Sequence, residues 1–421
     1  MSALGTGPHF VEVVGRNDAG FYQDDPIFGE DAVIPVSHTW TVDPTSSALR
    51  LNEILASNGG AVNHNGTTPD ERRVLSVLGA GVGLGATHSL PWDALALSAG
   101  SAAQNVFTSV QSVNAPKGAI IRTLLKDVPP EAFSKGATLV HEHVSGDVEL
   151  MVDELKAAGA DGLGALVALT TDRRPDDLVE RLKQIAAQSP VQIVLGGGYL
   201  QDTGFHLYPA SVSAMSEAQL VDELLSDATR QRWGAMGEIG TSLQMRPDER
   251  KMLRAIGQVS ARTGLPILTH VPHEGCPSCA LEQLDIFLSQ GAKPENIGIG
   301  HLATIQTKQD PTMETHKTIA KRGAFIDFGP LGHEMARSKV PEAEKVKRFM
   351  MLMDAGLEDQ VLLSSDLGNY NHLKANWGLG FSSVLLQFVP KLRRAGVKET
   401  TIRKVLVDNP RRMLAFVPKS A

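Results

Sequence analysis

A (β/α)8 barrel is the fold class this sequence predicts, and three observations predict it. From about residue 117 short runs that are apolar at every position alternate eight times with amphipathic segments, the pattern of parallel strands covered on both faces by helices. Several of these runs close on a His, Glu or Asp. In a barrel of parallel strands the C-terminal ends share one rim, so such residues face a common pocket. No Gly-x-Gly-x-x-Gly opens a helix after the first strand, which argues against the doubly wound sheet of dinucleotide-binding proteins.

The first run, Thr138-Leu139-Val140, ends in His141-Glu142-His143. A strand's period of two points both imidazoles to the same side, which makes half of a divalent-metal site. An amphipathic helix is expected over 148–158, a strand over 164–170 and a helix over 175–187. The third strand, 192–195, runs into Gly196-Gly197-Gly198-Tyr199. Ser216, with Glu217 close behind, opens a helix over 216–228. The fourth strand, 233–239, carries Glu238, and the helix over 247–263 has Pro247 and acids where a helix N-terminus favours them. The remaining units pair strands 266–270, 297–301, 323–328 and 361–366 with helices 280–289, 310–321, 341–355 and 382–395. The barrel domain thus spans 117–418.

The chain has 421 residues, 42% of them hydrophobic, enough for a sizeable core. Its net charge of -7 provides no basic field for nucleic acid. Residues 1–70 scatter Gly, Pro, Asn and Asp without a sustained period and read as a poorly ordered leader, or as a mis-assigned one ahead of a true start just before Arg72. Residues 71–100 begin with Arg72-Arg73, continue as a Gly/Ala-rich apolar run and end in small residues. This resembles a twin-arginine export signal, which would make the mature protein periplasmic or secreted. The run is too short and glycine-rich for stable membrane insertion. The competing reading is an ordinary buried helix behind an exposed arginine pair, in a cytoplasmic protein.

Taken together, the strand ends offer His141 and His143, Glu238, His270, His301 and Asp366. Four imidazoles and two carboxylates can hold and neutralise two divalent ions, zinc being favoured by the nitrogen-rich set. Carboxylates in apolar strands are otherwise costly.

These residues stand in Thr138-Leu139-Val140-His141-Glu142-His143, Gly237-Glu238-Ile239-Gly240-Thr241-Ser242, Thr269-His270, Gly300-His301 and Leu363-Ser364-Ser365-Asp366. The motifs and their order resemble the phosphotriesterase family of the amidohydrolase superfamily. Asn409-Pro410-Arg411-Arg412 is similar to that family's closing signature. His372-Leu373-Lys374-Ala375-Asn376 with Gly378 and Gly380, and Tyr199 with Gln201-Asp202, resemble the phosphotriesterase-homology protein branch. In that branch the bridging ligand is a glutamate, as Glu238 would be here, whereas organophosphate-hydrolysing and lactonase branches use a carboxylated lysine. The chain departs from the family after the second strand, where Arg173-Arg174-Pro175 replaces a frequent Gly-Arg-Asp.

The resemblance implies an amidohydrolase-like barrel with His141, His143 and Asp366 on a buried ion, His270 and His301 on an exposed one, and Glu238 on both. It further implies a metal-bridging hydroxide as nucleophile, with Asp366 carrying its proton to the leaving group. The expected reaction is hydrolysis of an ester, lactone or related bond in a small molecule. Amide or carbamate cleavage on the same site, and a barrel that binds metal without turnover, are the alternatives. Tyr199, His206, His333 and His372 are candidate substrate contacts. His273, Cys276 and Cys279 fall in the loop after the fifth strand, where free thiols, a local disulfide and a metal pair all remain open. His316 is expected on the solvent face of its helix. Whether the chain forms a homo-oligomer stays open.

Overall fold

The computed structural model describes residues 115–169, 176–200, 208–333 and 339–419, and the backbone of short strands between residues 16 and 51. The chain divides into two units, 1–90 and 91–421. In the first, Gly20–Gln23 pairs antiparallel with Arg16–Asn17 and Ala32–Pro35, and Trp40–Val42 pairs with Leu49–Leu51. The leader and export signal otherwise lie outside the described residues.

The second unit is an eight-stranded parallel barrel. Its strands are β1 Ala137–Glu142, β2 Leu163–Ala168, β3 Gln192–Gly197, β4 Ala235–Gly240, β5 Ile267–His270, β6 Ile297–Ile299, β7 Phe325–Phe328 and β8 Val361–Leu363. Neighbours in sequence are neighbours in the sheet. The ring closes just past β8, where Asp366 N donates to His141 O at 3.0 Å and His143 N donates to Leu367 O at 3.2 Å. The helices between strands are α1 Val148–Ala160, α2 Asp176–Gln188, α3 Glu217–Arg230, α4 Pro247–Thr263, α5 Pro277–Ser289, α6 Glu314–Lys321 and α7 Glu342–Asp354.

Local chemistry explains the helix ends. Asp147 accepts from Leu150 N at 3.1 Å to cap α1. Ser216 and Gln219 form a reciprocal capping box on α3, so Gln219 rather than Glu217 answers the cap. Gly264, at φ +81°, stops α4. Strand positions split the apolar side chains between two cores. Val140, Val167, Val194, Leu268 and Leu362 fill the barrel interior together with Met413 and Leu414, while Leu139, Leu166, Ile193, Ile267 and Ile326 face the helices. Both sides of each strand are therefore dry, which is why the runs are continuously apolar.

Four local expectations are corrected or resolved. Strands β6 and β8 end before His301 and Asp366, which instead take left-handed backbones at φ 57° and 56°. The helix expected over 382–395 is broken into a 3-10 turn, Gly380–Ser382, a π turn, Val384–Phe388, and the α-helix α8, Val389–Arg394. Pro390 lacks the N–H that would continue an α-helical ladder, and the wider turn accommodates its ring. His316 is fully buried, contrary to expectation. Its Nε2 donates to Leu302 O at 3.0 Å and its Nδ1 lies 3.5 Å from Asp310 Oδ2. Asp310 itself accepts from Glu314 N and Thr315 N at 2.8 and 2.9 Å at the start of α6. Among the three states left open for Cys276 and Cys279, the structure has the disulfide. Among the described residues, no helix is long and apolar enough to cross a membrane.

Candidate metal centre

All six residues singled out at the strand ends meet at one rim. Glu238, on β4, is the hub. His141 Nε2 and His301 Nε2 lie 3.1 and 2.9 Å from its Oε1, and His270 Nδ1 contacts the same oxygen. Its Oε2 is 3.5 Å from His143 Nε2, which in turn lies 3.0 Å from Asp366 Oδ1. Three ring nitrogens around one oxygen exceed what its two lone pairs can accept from hydrogen-bond donors. Cations satisfy such a set where protons cannot.

Two further observations fit a divalent ion. His141 Nδ1 donates to Asp327 Oδ2 at 2.9 Å. That bond fixes the tautomer whose Nε2 lone pair faces the rim, the carboxylate-histidine arrangement found behind metal-bound imidazoles. His141 Nε2 and His301 Nδ1 are buried with no partner placed to hydrogen bond to them. Ligand atoms of His141, His143 and Asp366 lie within 4.8 Å of one another, as do those of His141, Glu238 and His301 and those of His270, His273 and His301.

Electrostatics knit the groups together without a cation. Burial disfavours charge on His141, but the neighbouring Glu238 carboxylate and the bond to Asp327 outweigh it and hold the imidazole well above its ordinary pKa. Burial likewise pushes Glu238 up, and His270 and His141 reverse it to well below the carboxylate range. Asp366 is held low against burial by His301 and His143. His301 is pushed down by burial, only partly countered by Asp366. Metal and proton therefore compete for the same nitrogens.

Backbone features aim these side chains. Gly300 precedes His301, and a Cβ there would fall 1.8 Å from Thr269 O and 3.4 Å from the His141 ring, so β5 and β6 approach closely only with glycine. The strained backbones of His301 and Asp366 are of the kind that persists where surrounding structure over-determines it. Glu142, between the two histidines, turns the other way: it accepts from Ser365 N at 2.7 Å, Ser365 Oγ at 2.5 Å and Leu367 N at 3.1 Å. It clamps the chain on both sides of Asp366. Burial raises its carboxyl to about 7, against the pull of the Ser365 and Leu367 bonds.

Asp327 and Glu142 carry this support, and neither stood out among the strand-end candidates. The signal was an aspartate inside Phe325-Ile326-Asp327-Phe328 and a glutamate inside a fully buried strand, both expensive unless paired. His273, set with the cysteines in the loop after β5, is also at the rim. Of the candidate substrate contacts, His333 and His372 lie side by side with ring centroids 4.6 Å apart and planes tilted by 45°. Burial and then His372 lower His333 to about 4, with Asp366 pulling the other way. Tyr199 is buried and its hydroxyl donates to Glu223 Oε1 at 2.6 Å. His206 lies outside the described residues.

Comparisons with known proteins agree with this architecture. The profile of the phosphotriesterase family matches residues 126–414. The mouse protein N-acetyltaurine hydrolase is 29% identical over 64% of this chain and 78% of its own length. The human protein of the same name is 28% identical over 64% of this chain and 78% of its own. Among solved structures, the phosphotriesterase homology protein of Escherichia coli, complexed with phosphate in its active site, covers 66% of this chain and 98% of its own at 25% identity, with a TM-score of 0.59. A resiniferatoxin-binding protein from Rhodobacter sphaeroides covers 71% of this chain and 96% of its own at 27% identity, TM-score 0.63. With the profile spanning the whole barrel and the motif residues gathered at its rim, the chain belongs to the phosphotriesterase family of metal-dependent hydrolases.

Proposed function

We propose that the chain is a dinuclear-metal hydrolase that attacks the acyl carbon of an ester or lactone in a small molecule. The observation that carries this reading is the convergence of His141, His270 and His301 on Glu238 Oε1, with His143 and Asp366 alongside. His141, His143 and Asp366 would hold one ion, His270 and His301 the other, and Glu238 both. The mixed nitrogen and oxygen set suits zinc. When bound, a pair of divalent cations would supply a hydroxide near neutral pH and polarise a carbonyl oxygen.

The protein's own groups do the rest. His301 and His143 hold the Asp366 carboxyl below its ordinary range against burial, and the Glu142 clamp fixes the residues on either side of it. In this reading it would take the proton of the attacking water and return it to the leaving oxygen, general base and then general acid. Asp327 keeps the His141 ring oriented. His333 and His372 are the candidate substrate contacts near that aspartate, His333 within its field. A second reading, cleavage of an N-acyl amide by the same attack, is favoured by the relatives named N-acetyltaurine hydrolase.

Metal analysis combined with a panel of aryl esters, lactones, phosphotriesters and N-acyl compounds tests the proposal. Turnover of an ester or lactone that falls ~10²–10⁴-fold in Asp366→Asn, with the circular-dichroism spectrum unchanged, is the expected result. Turnover confined to N-acyl compounds selects the second reading. Two ions per chain with no turnover on any class makes this a binding barrel and overturns the enzyme.

A further inference from the structure

We propose that His273 is an additional ligand of the more exposed metal site, giving that ion three imidazoles where the family resemblance supplies two. The inference rests on the dinuclear reading above. His273 is 5% exposed, with ring centroids 4.4 Å from His301 and 5.0 Å from His270. Ligand atoms of the three residues lie within 4.8 Å of one another and all three side chains are buried. His273 Nδ1 has no hydrogen-bond partner, and Nε2 is 3.7 Å from Asp366 Oδ2, beyond hydrogen-bond distance. A buried imidazole with neither nitrogen bonded is destabilising unless something occupies its lone pair. Three neutral imidazoles beside the Glu238 carboxylate make a nitrogen-rich set of the kind zinc favours.

The loop is built to hold His273 inward. It leaves β5 at His270, whose carbonyl accepts from Gln283 Nε2 at 2.9 Å. It turns at Gly275, with φ +78° and its N–H on Pro272 O at 2.8 Å. Gln309 Nε2 then donates to Glu274 O and Gly275 O at 3.1 and 2.8 Å. The Cys276–Cys279 disulfide closes the first turn of α5 immediately afterwards. Two residues separate His270 from His273, and the turn folds the second ring back onto the first. In the proposed site the two ions are thus held by different means, one by a carboxylate-braced pair of histidines and the other by an imidazole triad.

The test uses the full chain loaded with zinc or cobalt(II), in wild type, His273→Ala, His273→Gln and His333→Ala. Metal retained against a graded series of chelator concentrations and the visible spectrum of the cobalt form are read, with fold checked by the melting temperature of the metal-free proteins. We expect two ions in the wild type, and in both His273 variants loss of one of them at ~10-fold or lower chelator concentration, with an altered cobalt spectrum. His333→Ala should retain both. Unchanged retention and spectrum in the His273 variants overturn the proposal, even if their KM rises. A wild type that holds a single ion, lost in the His273 variants, supports the ligand while refuting the dinuclear reading. A wild type that binds none refutes both.

Discussion

The two ends of the barrel use buried polar side chains in opposite ways. At the N-terminal end, Asn296 Nδ2 donates to Met413 O at 2.8 Å and to Ala415 O at 3.0 Å, and Asn409 Nδ2 donates to Glu358 O and Val361 O at 2.7 Å each. Arg411 Nε donates to Pro130 O at 3.1 Å, and an antiparallel bridge joins Ile120 to Phe416. These donors find backbone acceptors within the protein. At the C-terminal rim, ring nitrogens of His141, His273 and His301 are buried without hydrogen bonds and surround carboxylates whose charge must be balanced. At the N-terminal end backbone carbonyls answer these amides, with Arg411 Nη2 and Arg403 Nε buried beside them without a hydrogen bond, while the rim gathers imidazoles and carboxylates into groups that could hold a metal. An unsatisfied buried group costs roughly 1–3 kcal/mol, and at the rim that cost falls on the side chains that could hold a metal.

That contrast can be broken first at the rim. Asp327→Asn keeps the shape behind His141 but replaces the carboxylate that holds its Nδ1–H with a neutral amide, which can also donate. Metal affinity should fall ~10–100-fold, while the metal-free melting temperature changes little, as read by chelator competition and thermal denaturation. A large stability loss without a change in affinity would place Asp327 among the structural groups of the other end.

The opposite end should respond in the reverse sense. Asn409→Ala strands two carbonyls between the C-terminal helices and β8 and should lower stability by ~1–3 kcal/mol. Metal content and turnover per folded molecule should stay at wild-type levels. Loss of metal in this variant would show that the two ends are coupled.

The smallest effect is expected at Asp310, between the two regimes. Burial pushes its carboxyl up, but His316 and the backbone N–H groups of Thr315 and Glu314 outweigh this and hold it well below the ordinary value. A depressed folded-state pKa contributes stability above the unfolded-state pKa, about 3.9, and loses it as pH falls through the folded value. Asp310→Asn should therefore flatten the acid limb of the stability curve below about pH 4, and leave the curve's shape near neutrality unchanged. Acid titration of the melting temperature in both proteins measures it, and identical acid limbs would refute the assignment.

How much was legible in the sequence varied with the range of the forces involved. The alternation of apolar runs is local and follows from strands being dry on both faces, so the number, order and approximate bounds of the barrel elements could be read directly. The residue ending each run was legible for the same reason. His316 was misjudged because helical spacing gives a face but not what covers that face, and here Asp310 and Leu302 O supply polar partners inside. The break at Pro390 was readable from proline chemistry, yet its resolution as a π turn depended on packing.

By itself the sequence determined a parallel barrel whose strand ends carry four imidazoles and two carboxylates in a family order, because periodicity and composition are written residue by residue. Only the tertiary structure decided which polar groups meet. Asp327 reaches His141 across 186 positions and Glu142 reaches Ser365 across 223, and His273 turns inward because Gln309, from the loop after β6, pins the turn beside it. Closing the ring brings its first and last strands into hydrogen-bond distance, and no local pattern encodes a contact that exists only once the barrel is shut.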